Sequence, residues 1–449
     1  MILTFYGATR TITGSNFLLD TGTSKILVDC GLWQGCRFCE EKNYDAFPYD
    51  PKEIDAVLLT HAHIDHSGRL PKLIKEGFRG KIFSTDATKD LAELMFFDSA
   101  EVMRRECEDT HAAPLFEEAD VGKTMEAFEE VEYGKKLQTT KDVSCVFRDA
   151  GHILGSAIIE VFSGNKKIVF SGDLGNTPIP LLHPTEGEEN ADFLVLEATY
   201  GDRIHEQRAE RRKTLEDIIE ETINRTGVLM IPSFAIERTQ ELLYELNELV
   251  ENKRIPAVPV FIDSPLAIRA TEVYARYEKY YSKEASRLIA SGDKLFQFPG
   301  LTFTRTVEKS KKINDVSAPK IIIAGSGMSN GGRILHHERR YLSDPSSTIL
   351  FIGYQAAGTL GRRIFDKEKE VQIFGERIPI RCRVKAIGGY SAHADQELLM
   401  AWTAQMKSSV KKVFVVHGEE APALALVQKI RDVLGVDAYA PMLGDSITL

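Results

Sequence analysis

The hexapeptide HAHIDH occupies residues 61–66 and directly follows the apolar, strand-like run AVLLT at residues 56–60. Two histidines two residues apart at the end of a strand can both face one metal ion. An aspartate and a histidine placed where the chain turns into a helix can face a second ion about 3.5–4 Å away. Four ligand-type residues within six positions are difficult to explain by packing alone. The stretch therefore predicts a dinuclear metal site at a strand end.

Further ligand-type residues occur singly after other predicted strands: His152 in DAGHILGS, Asp173 in FSGDLGN and His417 in FVVHGE. A lone histidine at a strand end is more often structural. The chain has only 11 histidines, however, and six of them lie in strand-end, glycine-flanked positions: His61, His63, His66, His152, His393 and His417. Asp29, which closes the strand KILVD, is a candidate carboxylate for orienting a ligand histidine.

The arrangement of predicted strands and helices divides the chain into two parts. The first 200 residues contain many short segments rich in β-branched and aromatic residues, which predict strands. From about residue 211, strands alternate with helices of ten or more residues, a pattern typical of a parallel, doubly wound sheet. We therefore predict an α/β protein with one domain formed by residues 1–203 and 383–449 and a second domain, inserted into it, formed by residues 204–382.

Length and composition exclude several classes of protein. A chain of 449 residues with 43% hydrophobic residues can bury a large core, and its apolar runs are far shorter than a membrane span. The strand-like start ILTFYG does not resemble a signal peptide. Six cysteines exclude a disulfide scaffold, and we expect ordinary reduced thiols in a cytoplasmic protein with no membrane contact.

Charge is distributed unevenly along the chain. Residues 204–382 carry 28 Lys+Arg and 24 Asp+Glu, whereas the remainder carries 28 and 42, so net charges of +4 and −14 sum to −10. An acidic part that holds cations and a mildly basic part that contacts a polyanion would produce this pattern. A random scatter of surface charge explains it equally well.

The motif H-x-H-x-D-H followed by a later His, Asp and His resembles the metallo-β-lactamase fold, an αββα sandwich. Glu197 in LVLEATYGDR, His393 in GGYSAHAD and His417 in VVHGE resemble the three extra motifs of the β-CASP nuclease subfamily. The stretches PSFAIERTQELL, DSPLA, GSGMSNGGRILHH and GYQAAGTLGRRI resemble the α/β cap domain inserted in that subfamily. The resemblance covers almost the whole chain. It is to compact prokaryotic ribonucleases related to the cleavage and polyadenylation endonuclease.

This resemblance implies two zinc ions per chain and a residue set for each. It implies one zinc on His61, His63 and His152, the other on Asp65, His66 and His417, and Asp173 as a bridging ligand. In the family, a histidine at the position of His393 hydrogen-bonds an acid at the position of Glu197, close to where the leaving oxygen would lie. The resemblance therefore implies catalytic roles for His393, Glu197 and Asp65, with His393 as the general acid.

A glycine-rich turn at residues 325–333 lies between a predicted strand and a predicted helix. Glycines there allow backbone N–H groups to approach a phosphate, and a helix N-terminus favours an anion. The turn lacks the G-K-[ST] of a Walker loop. The candidate phosphate-binding residues are Ser326, Gly327, Met328 and Arg333, with Ser233, Arg238 and Tyr354 as weaker candidates. The alternatives are a purely structural turn, a helix cap, surface charge and an ordinary core aromatic.

These observations predict a zinc-dependent ribonuclease that hydrolyses RNA phosphodiester bonds by a two-metal mechanism, with a histidine general acid. We expect neither an RNA-binding module before Met1 nor a domain of the ribonuclease J type after Leu449. RNA affinity would then depend on the cap. Endonuclease action is favoured, and 5′–3′ exonuclease action and a homodimer remain open.

Two alternatives remain. A thioester or lactam hydrolase of the same fold would lack the cap and the pair formed by Glu197 and His393. A non-catalytic RNA-binding scaffold would be expected to have lost metal ligands.

Overall fold

The structure is a computed structural model, in which strands and helices are numbered along the chain. It describes residues 1–35, 37–110, 113–176, 179–205, 208–353, 355 and 358–449. The chain forms two compact units. The first contains residues 1–204 and 393–449, and the second contains residues 205–392.

Two seven-stranded sheets form the centre of the first unit. The first sheet has the order β22-β1-β2-β3-β4-β5-β6 and the second has the order β21-β20-β11-β10-β9-β8-β7. The strands of the first sheet are β1 (Ile2–Phe5), β2 (Phe17–Asp20), β3 (Lys25–Val28), β4 (Ala56–Leu58), β5 (Lys81–Ser84), β6 (Phe128–Glu130) and β22 (Ser446–Thr448). Those of the second are β7 (Leu137–Gln138), β8 (Val143–Asp149), β9 (Ala157–Ser163), β10 (Lys166–Phe170), β11 (Phe193–Glu197), β20 (Lys412–Val416) and β21 (Ala438–Tyr439).

The core of this unit lies between the two sheets. Alternate side chains of each strand point to one face, so Leu3 and Phe5 of β1 both face the second sheet. The ring of Phe5 lies 5.3 Å from the ring of Phe414 on β20. Burial of each such side chain contributes about 1.5–3 kcal/mol to the free energy of folding.

Helices cover the outer faces of both sheets. The helices of this unit are α1 (Arg37–Glu41), α2 (Ile64–Ser67), α3 (Leu70–Lys75), α4 (Asp86–Thr110), α5 (Glu118–Ala127), α13 (Gln396–Ala404) and α14 (Glu420–Lys429). Leu399 of α13 and Leu426 of α14 pack with Leu194 and Val413 on the outer face of the second sheet. The first unit is therefore an αββα sandwich, as predicted from the sequence.

The second unit is built on a six-stranded sheet in which every pair of neighbouring strands is parallel. Its order is β14-β13-β15-β12-β16-β19. The strands are β12 (Val228–Pro232), β13 (Val260–Ile262), β14 (Leu301–Phe303), β15 (Lys320–Ala324), β16 (Thr348–Phe351) and β19 (Arg383–Ala386), and β17 (Glu370–Ile373) and β18 (Glu376–Pro379) form a separate hairpin. Strands of this type, alternating with helices, confirm the predicted doubly wound arrangement.

Seven helices of the second unit occur in its described residues. They are α6 (Arg208–Asn224), α7 (Arg238–Glu251), α8 (Pro265–Tyr274), α9 (Lys283–Ala290), α10 (Val307–Lys312), α11 (Ile334–Tyr341) and α12 (Leu360–Phe365). Ile334 of α11 and Ile364 of α12 pack in one apolar cluster with Ile322 of β15 and Ile349 of β16. The sheet is apolar because it is buried, as parallel sheets usually are.

Two details differ from the sequence-based expectations. The strand at 383–386, which we placed in the first domain, pairs with β16 of the second unit. The chain therefore returns from the second unit to the first at residues 392–393 instead of 383. Charged residues at alternate positions of this edge strand conceal its membership of the apolar sheet.

Cys39 is disulfide-bonded, whereas we expected only thiols, and Cys30, Cys107, Cys145 and Cys382 are free. Among the helices described, none is long and apolar enough to cross a membrane.

Candidate metal centre

The hexapeptide at residues 61–66 lies where β4 ends and the short helix α2 begins. His61 and His63 occupy the turn after the strand, and Asp65 and His66 lie on α2. The backbone at Gly31 passes directly beneath this helix, because a Cβ atom there would lie only 1.5 Å from the carbonyl oxygen of Asp65. A glycine is therefore required for this close approach, which fixes α2 against the strand ends.

The first ligand group consists of His61, His63, His152 and Asp173, whose donor atoms lie within 4.8 Å of one another. The Nδ1 atom of His63 lies 3.1 Å from Nε2 of His61 and 3.2 Å from Nε2 of His152. The Oδ2 atom of Asp173 lies 3.3 Å from Nε2 of His61. Three imidazole nitrogens and one carboxylate oxygen thus converge on one point.

The second ligand group consists of Asp65, His66 and His417. The Nε2 atom of His417 lies 3.2 Å from Oδ2 of Asp65. His417 follows β20, which pairs in parallel with β11 in the second sheet. The two groups contain the same residues that the family resemblance assigned to the two zinc ions.

Asp173 lies between the two groups. Its Oδ2 atom faces His61 and His152, at 3.3 and 3.5 Å, and its Oδ1 atom lies 3.3 Å from Nε2 of His66. Oδ1 is fully buried and has no hydrogen-bond partner. A buried carboxylate oxygen without a partner is costly unless a positive charge compensates it, so the residues present fit a bound cation.

The protonation states of the first ligand group also fit metal binding, whereas in the second group Asp173 and then Asp29 outweigh burial and raise the pKa of His66. Burial and neighbouring imidazoles lower the pKa of His61 and His152, and burial followed by the charge of His61 lowers the pKa of His63 to about 3. Burial opposes the ionised form of Asp173, but the surrounding histidines outweigh it and lower the pKa of this carboxyl. Neutral imidazoles and ionised carboxylates are the forms that bind metal ions.

Asp29, the carboxylate that the sequence offered for orienting a ligand histidine, contacts His66. Its Oδ2 atom lies 2.7 Å from Nδ1 of His66, which leaves Nε2 of that ring directed at the ligand group. Thr60 was not identified from the sequence, yet its backbone N–H and hydroxyl both donate to Oδ1 of Asp29. The sequence did contain a signal for Thr60, which is its position immediately before His61. A residue at that position is close enough to reach the Asp29 carboxylate that contacts His66.

His393 and Glu197 form a pair beside the ligand groups. The Nδ1 atom of His393 lies 3.2 Å from Oε2 of Glu197 and 3.8 Å from Oδ2 of Asp173. Oε1 of Glu197 accepts the backbone N–H of Leu174 at 2.6 Å. Burial opposes charge on His393, but Glu197 and then Asp173 outweigh it and raise the pKa of this imidazole. Glu197 therefore stabilises the protonated form of the His393 ring and is itself fixed by the Leu174 backbone.

The candidate phosphate-binding residues lie in the second unit. Ser326, Gly327 and Met328 follow β15, and the Ser326 hydroxyl accepts the backbone N–H of Asn330 at 3.1 Å. Ser233 is buried and its hydroxyl contacts that of Thr239 at 3.0 Å. Tyr354 lies outside the described residues.

The two arginines expected to contact phosphate are instead bound to carboxylates of their own unit. Arg333 donates to Asp263 at 2.7 Å, and Arg238 lies 3.0 Å from Glu237 and 3.1 Å from Glu241. Their charges are therefore already compensated. The backbone and the hydroxyl of the glycine-rich turn are candidate phosphate contacts that do not depend on these two arginines.

An αββα sandwich that gathers five histidines and two aspartates at the ends of its strands defines a metallo-hydrolase of the metallo-β-lactamase fold. Sequence profiles agree with this class. Residues 18–177 match the metallo-beta-lactamase superfamily domain, residues 239–364 match the Beta-Casp domain, and residues 377–441 match the Zn-dependent metallo-hydrolase RNA specificity domain.

Individual proteins extend this comparison. The chain is 40% identical to Ribonuclease TTHA0252 of Thermus thermophilus over 421 residues, which cover 94% of each protein. It is 32% identical to Transcription termination factor FttA of Methanosarcina mazei, over 98% of this chain and 70% of that protein. A protein of unknown function from Enterococcus faecalis shares the fold, with a TM-score of 0.57 at 14% identity, over 100% of this chain and 99% of that one. The chain belongs to the β-CASP ribonuclease family of metallo-hydrolases.

The glycine-rich turn generates a prediction about pH. The Ser329 hydroxyl in this turn donates to Oε1 of the buried Glu338, and burial raises the pKa of this carboxyl to about 8. The folded unit therefore holds a proton that the unfolded chain releases above its ordinary pKa of about 4.5. The proton on Glu338 therefore stabilises the folded unit fully below about pH 4.5, and this stabilisation is lost as the pH rises towards 8.

We expect Glu338→Gln, which keeps the acceptor but cannot ionise, to remove this dependence. Relative to the variant, the unsubstituted unit should lose at most about 1.4 kcal/mol of stability per pH unit between pH 5 and 8. Hydrogen exchange of the β15 amides measures this, with the exposed Glu220→Gln as control. Parallel pH profiles for the unsubstituted chain and Glu338→Gln would contradict the prediction.

Proposed function

We propose that this protein is a zinc-dependent ribonuclease that hydrolyses RNA phosphodiester bonds with two metal ions and a histidine general acid. One observation carries the proposal. The buried Asp173 carboxylate separates two groups of ligand-type residues, and its Oδ1 atom has no hydrogen-bond partner. The β-CASP unit and the match to an RNA specificity domain support RNA as the substrate class.

In this proposal, His61, His63 and His152 would hold one zinc ion and Asp65, His66 and His417 would hold the other, with Asp173 between the two sets of residues. Zinc in such a site supplies Lewis-acid activation of the phosphodiester and of a water molecule. An imidazole-rich donor set suits zinc. Asp29 keeps the His66 ring oriented towards the site, because it accepts the Nδ1 proton of that ring.

His393 acts on the leaving group. Its Nδ1–H donates to Glu197, which fixes the ring and stabilises its protonated form. Its Nε2–H is then available to protonate the ribose oxygen as the P–O bond breaks, leaving a 5′-phosphate and a 3′-hydroxyl. Glu197 has one oxygen committed to the Leu174 backbone N–H, so it remains in place when the proton leaves His393.

We favour endonuclease action and a cytoplasmic location, with 5′–3′ exonuclease action as the second mode. RNA labelled at its 5′ or 3′ end separates the two, because internal cuts release intermediate fragments from both labels. A thioester or lactam hydrolase of this fold would be expected to lack a β-CASP unit. A scaffold without activity does not need seven convergent ligand-type residues, so both alternatives are weaker.

The first test concerns the metal ions. The unsubstituted chain should contain about two zinc ions by elemental analysis, and chelation should abolish RNA hydrolysis. Asp65→Ala should lower hydrolysis by about 100-fold or more, because its effect should exceed the 10- to 100-fold typical of residues that only support a ligand. The exposed Asp45→Ala serves as control. Full activity of metal-free protein would contradict the proposal.

The second test separates His393 from the metal ligands. A ribose alkoxide needs a proton to leave, whereas a nitrophenolate leaves well without one. His393→Ala should therefore lower RNA hydrolysis by about 10²- to 10⁴-fold while zinc remains bound. On an activated nitrophenyl phosphodiester, the same variant should be much less impaired.

Two further variants serve as comparisons for His393→Ala. His417→Ala should impair both substrates and lower zinc content, as expected of a metal ligand. Glu197→Gln should show a milder form of the His393→Ala defect, because it loosens the imidazole and lowers its pKa. Equal losses on both substrates for His393→Ala would assign His393 a structural or metal-binding role.

The third test concerns phosphate contacts of the second unit. RNA affinity should fall with salt, with a contribution of about −0.7 to the logarithmic slope for each phosphate neutralised on a single strand. Ser326→Ala should weaken RNA binding at unchanged zinc content, whereas Ser291→Ala, an exposed control, should not. Since Arg333 is bound to Asp263, Arg333→Ala should leave the salt slope unchanged. An RNA affinity that does not change with salt concentration would instead favour a small uncharged substrate.

A further inference from the structure

The side chain of Phe234 is exposed in a part of the second unit where almost everything else is buried. Of the 21 residues from Gly227 to Asn247, nineteen are buried, Ala235 is half-buried and Phe234 alone is exposed, at 41%. The buried residues include charged side chains such as Glu241 and Glu245. Such an inversion of the usual distribution, with charges inside and an aromatic ring outside, requires an explanation.

The backbone that carries this ring is held firmly. The carbonyl oxygen of Phe234 accepts the Thr239 hydroxyl at 2.8 Å and the Ser233 hydroxyl at 3.2 Å. The next carbonyl, that of Ala235, accepts the Gln240 side chain at 3.1 Å. The exposed ring is therefore on a pre-organised turn, so little conformational entropy remains to be lost when a ligand contacts it.

Glycines of two neighbouring turns provide room beside the ring. A Cβ atom at Gly327 would lie 2.7 Å from a carbon of the Phe234 ring, so the ring packs directly on the glycine backbone. A Cβ atom at Gly353 would lie 3.8 Å from the same ring. The three turns follow β12, β15 and β16, which are neighbours in the sheet. Ligands of parallel α/β sheets bind at this carboxyl edge.

We propose that Phe234 is a stacking platform for one unpaired nucleobase of the RNA substrate. Bases stack on aromatic side chains with little sequence preference, because every base presents a flat π-face. The glycine-rich turn at residues 325–333, already a candidate for phosphate, lies against the same ring and would contact the backbone of the stacked nucleotide. The inference rests on the proposed ribonuclease function, to which it adds the recognition of a base.

An exposed phenylalanine elsewhere in the unit provides a matched control. Phe365 is exposed to 40%, but it lies on α12, 6.2 Å from the ring of Phe351, with the Arg362 guanidinium 5.9 Å from its ring. No glycine whose surroundings are described lies against Phe365. Phe365→Leu therefore removes a ring of equal exposure without removing a platform.

The test measures equilibrium binding of single-stranded RNA oligomers to the full chain, with His393→Ala as the background that slows cleavage. Phe234→Leu should weaken binding by about 5- to 100-fold, the range expected for loss of one base stack. Phe234→Trp, which keeps a ring, should bind within about threefold of the background chain, and Phe365→Leu should bind like it. The salt dependence should stay the same, because the ring carries no charge.

RNA oligomers that lack one base at a time identify the stacked nucleotide. Removal of one particular base should weaken binding to the background chain as much as Phe234→Leu does, and should not weaken binding to Phe234→Leu further. Equal binding by both chains, or equal penalties for every missing base, would overturn the platform and favour a protein partner for the ring. Cleavage of RNA by the unsubstituted chain is measured in parallel. RNA cleavage without any effect of Phe234 overturns only the platform, whereas absence of RNA binding and cleavage overturns the proposed function as well.

Discussion

The first unit depends on a buried negative charge. Asp173 is buried among His61, His66 and His152, and one of its oxygens lacks any hydrogen bond. Burial of a carboxylate costs several kcal/mol unless charge and hydrogen bonds compensate it. Three features surround this charge: the strand ends, the glycine beneath α2 and the Asp29–Thr60 hydrogen bonds. The arrangement suits the binding of cations.

The second unit places its buried charges in a different way. Arg211 donates to Glu241 and Glu245, at 2.8 and 2.7 Å, and its guanidinium lies 4.1 Å from the centre of the Tyr390 ring. These groups compensate one another without a metal ion. Among the described residues of this unit, buried carboxylates outnumber buried cations, so burial does not make its surface less basic than the composition implies; the acids are Glu216, Glu237, Glu241, Glu245, Asp263 and Glu338 and the cations are Arg211, Arg238 and Lys320.

Much of the candidate site could be predicted from the sequence, because its central motif is local. HAHIDH brings four ligand-type residues together within six positions, and single residues after strand ends meet because those ends share one edge of the sandwich. The ion pair of Arg333 could not be predicted in this way. The partner of Arg333 is Asp263, seventy positions away, and composition gives no sign that the two meet. The β19 strand was assigned to the other unit for a similar reason, since pairing of an edge strand is decided by its neighbour.

Chain order has a consequence for when this protein becomes able to act. His61 and His417 belong to one group of ligand-type residues, yet the entire second unit is synthesised between them, and β20, which precedes His417, joins the second sheet beside β11 only afterwards. Domains generally fold as units during synthesis, so residues 205–392 can fold while the candidate metal centre still lacks His417. A nascent chain on the ribosome therefore has an incomplete site, and the messenger RNA that encodes it is not exposed to an assembled centre until translation has passed His417.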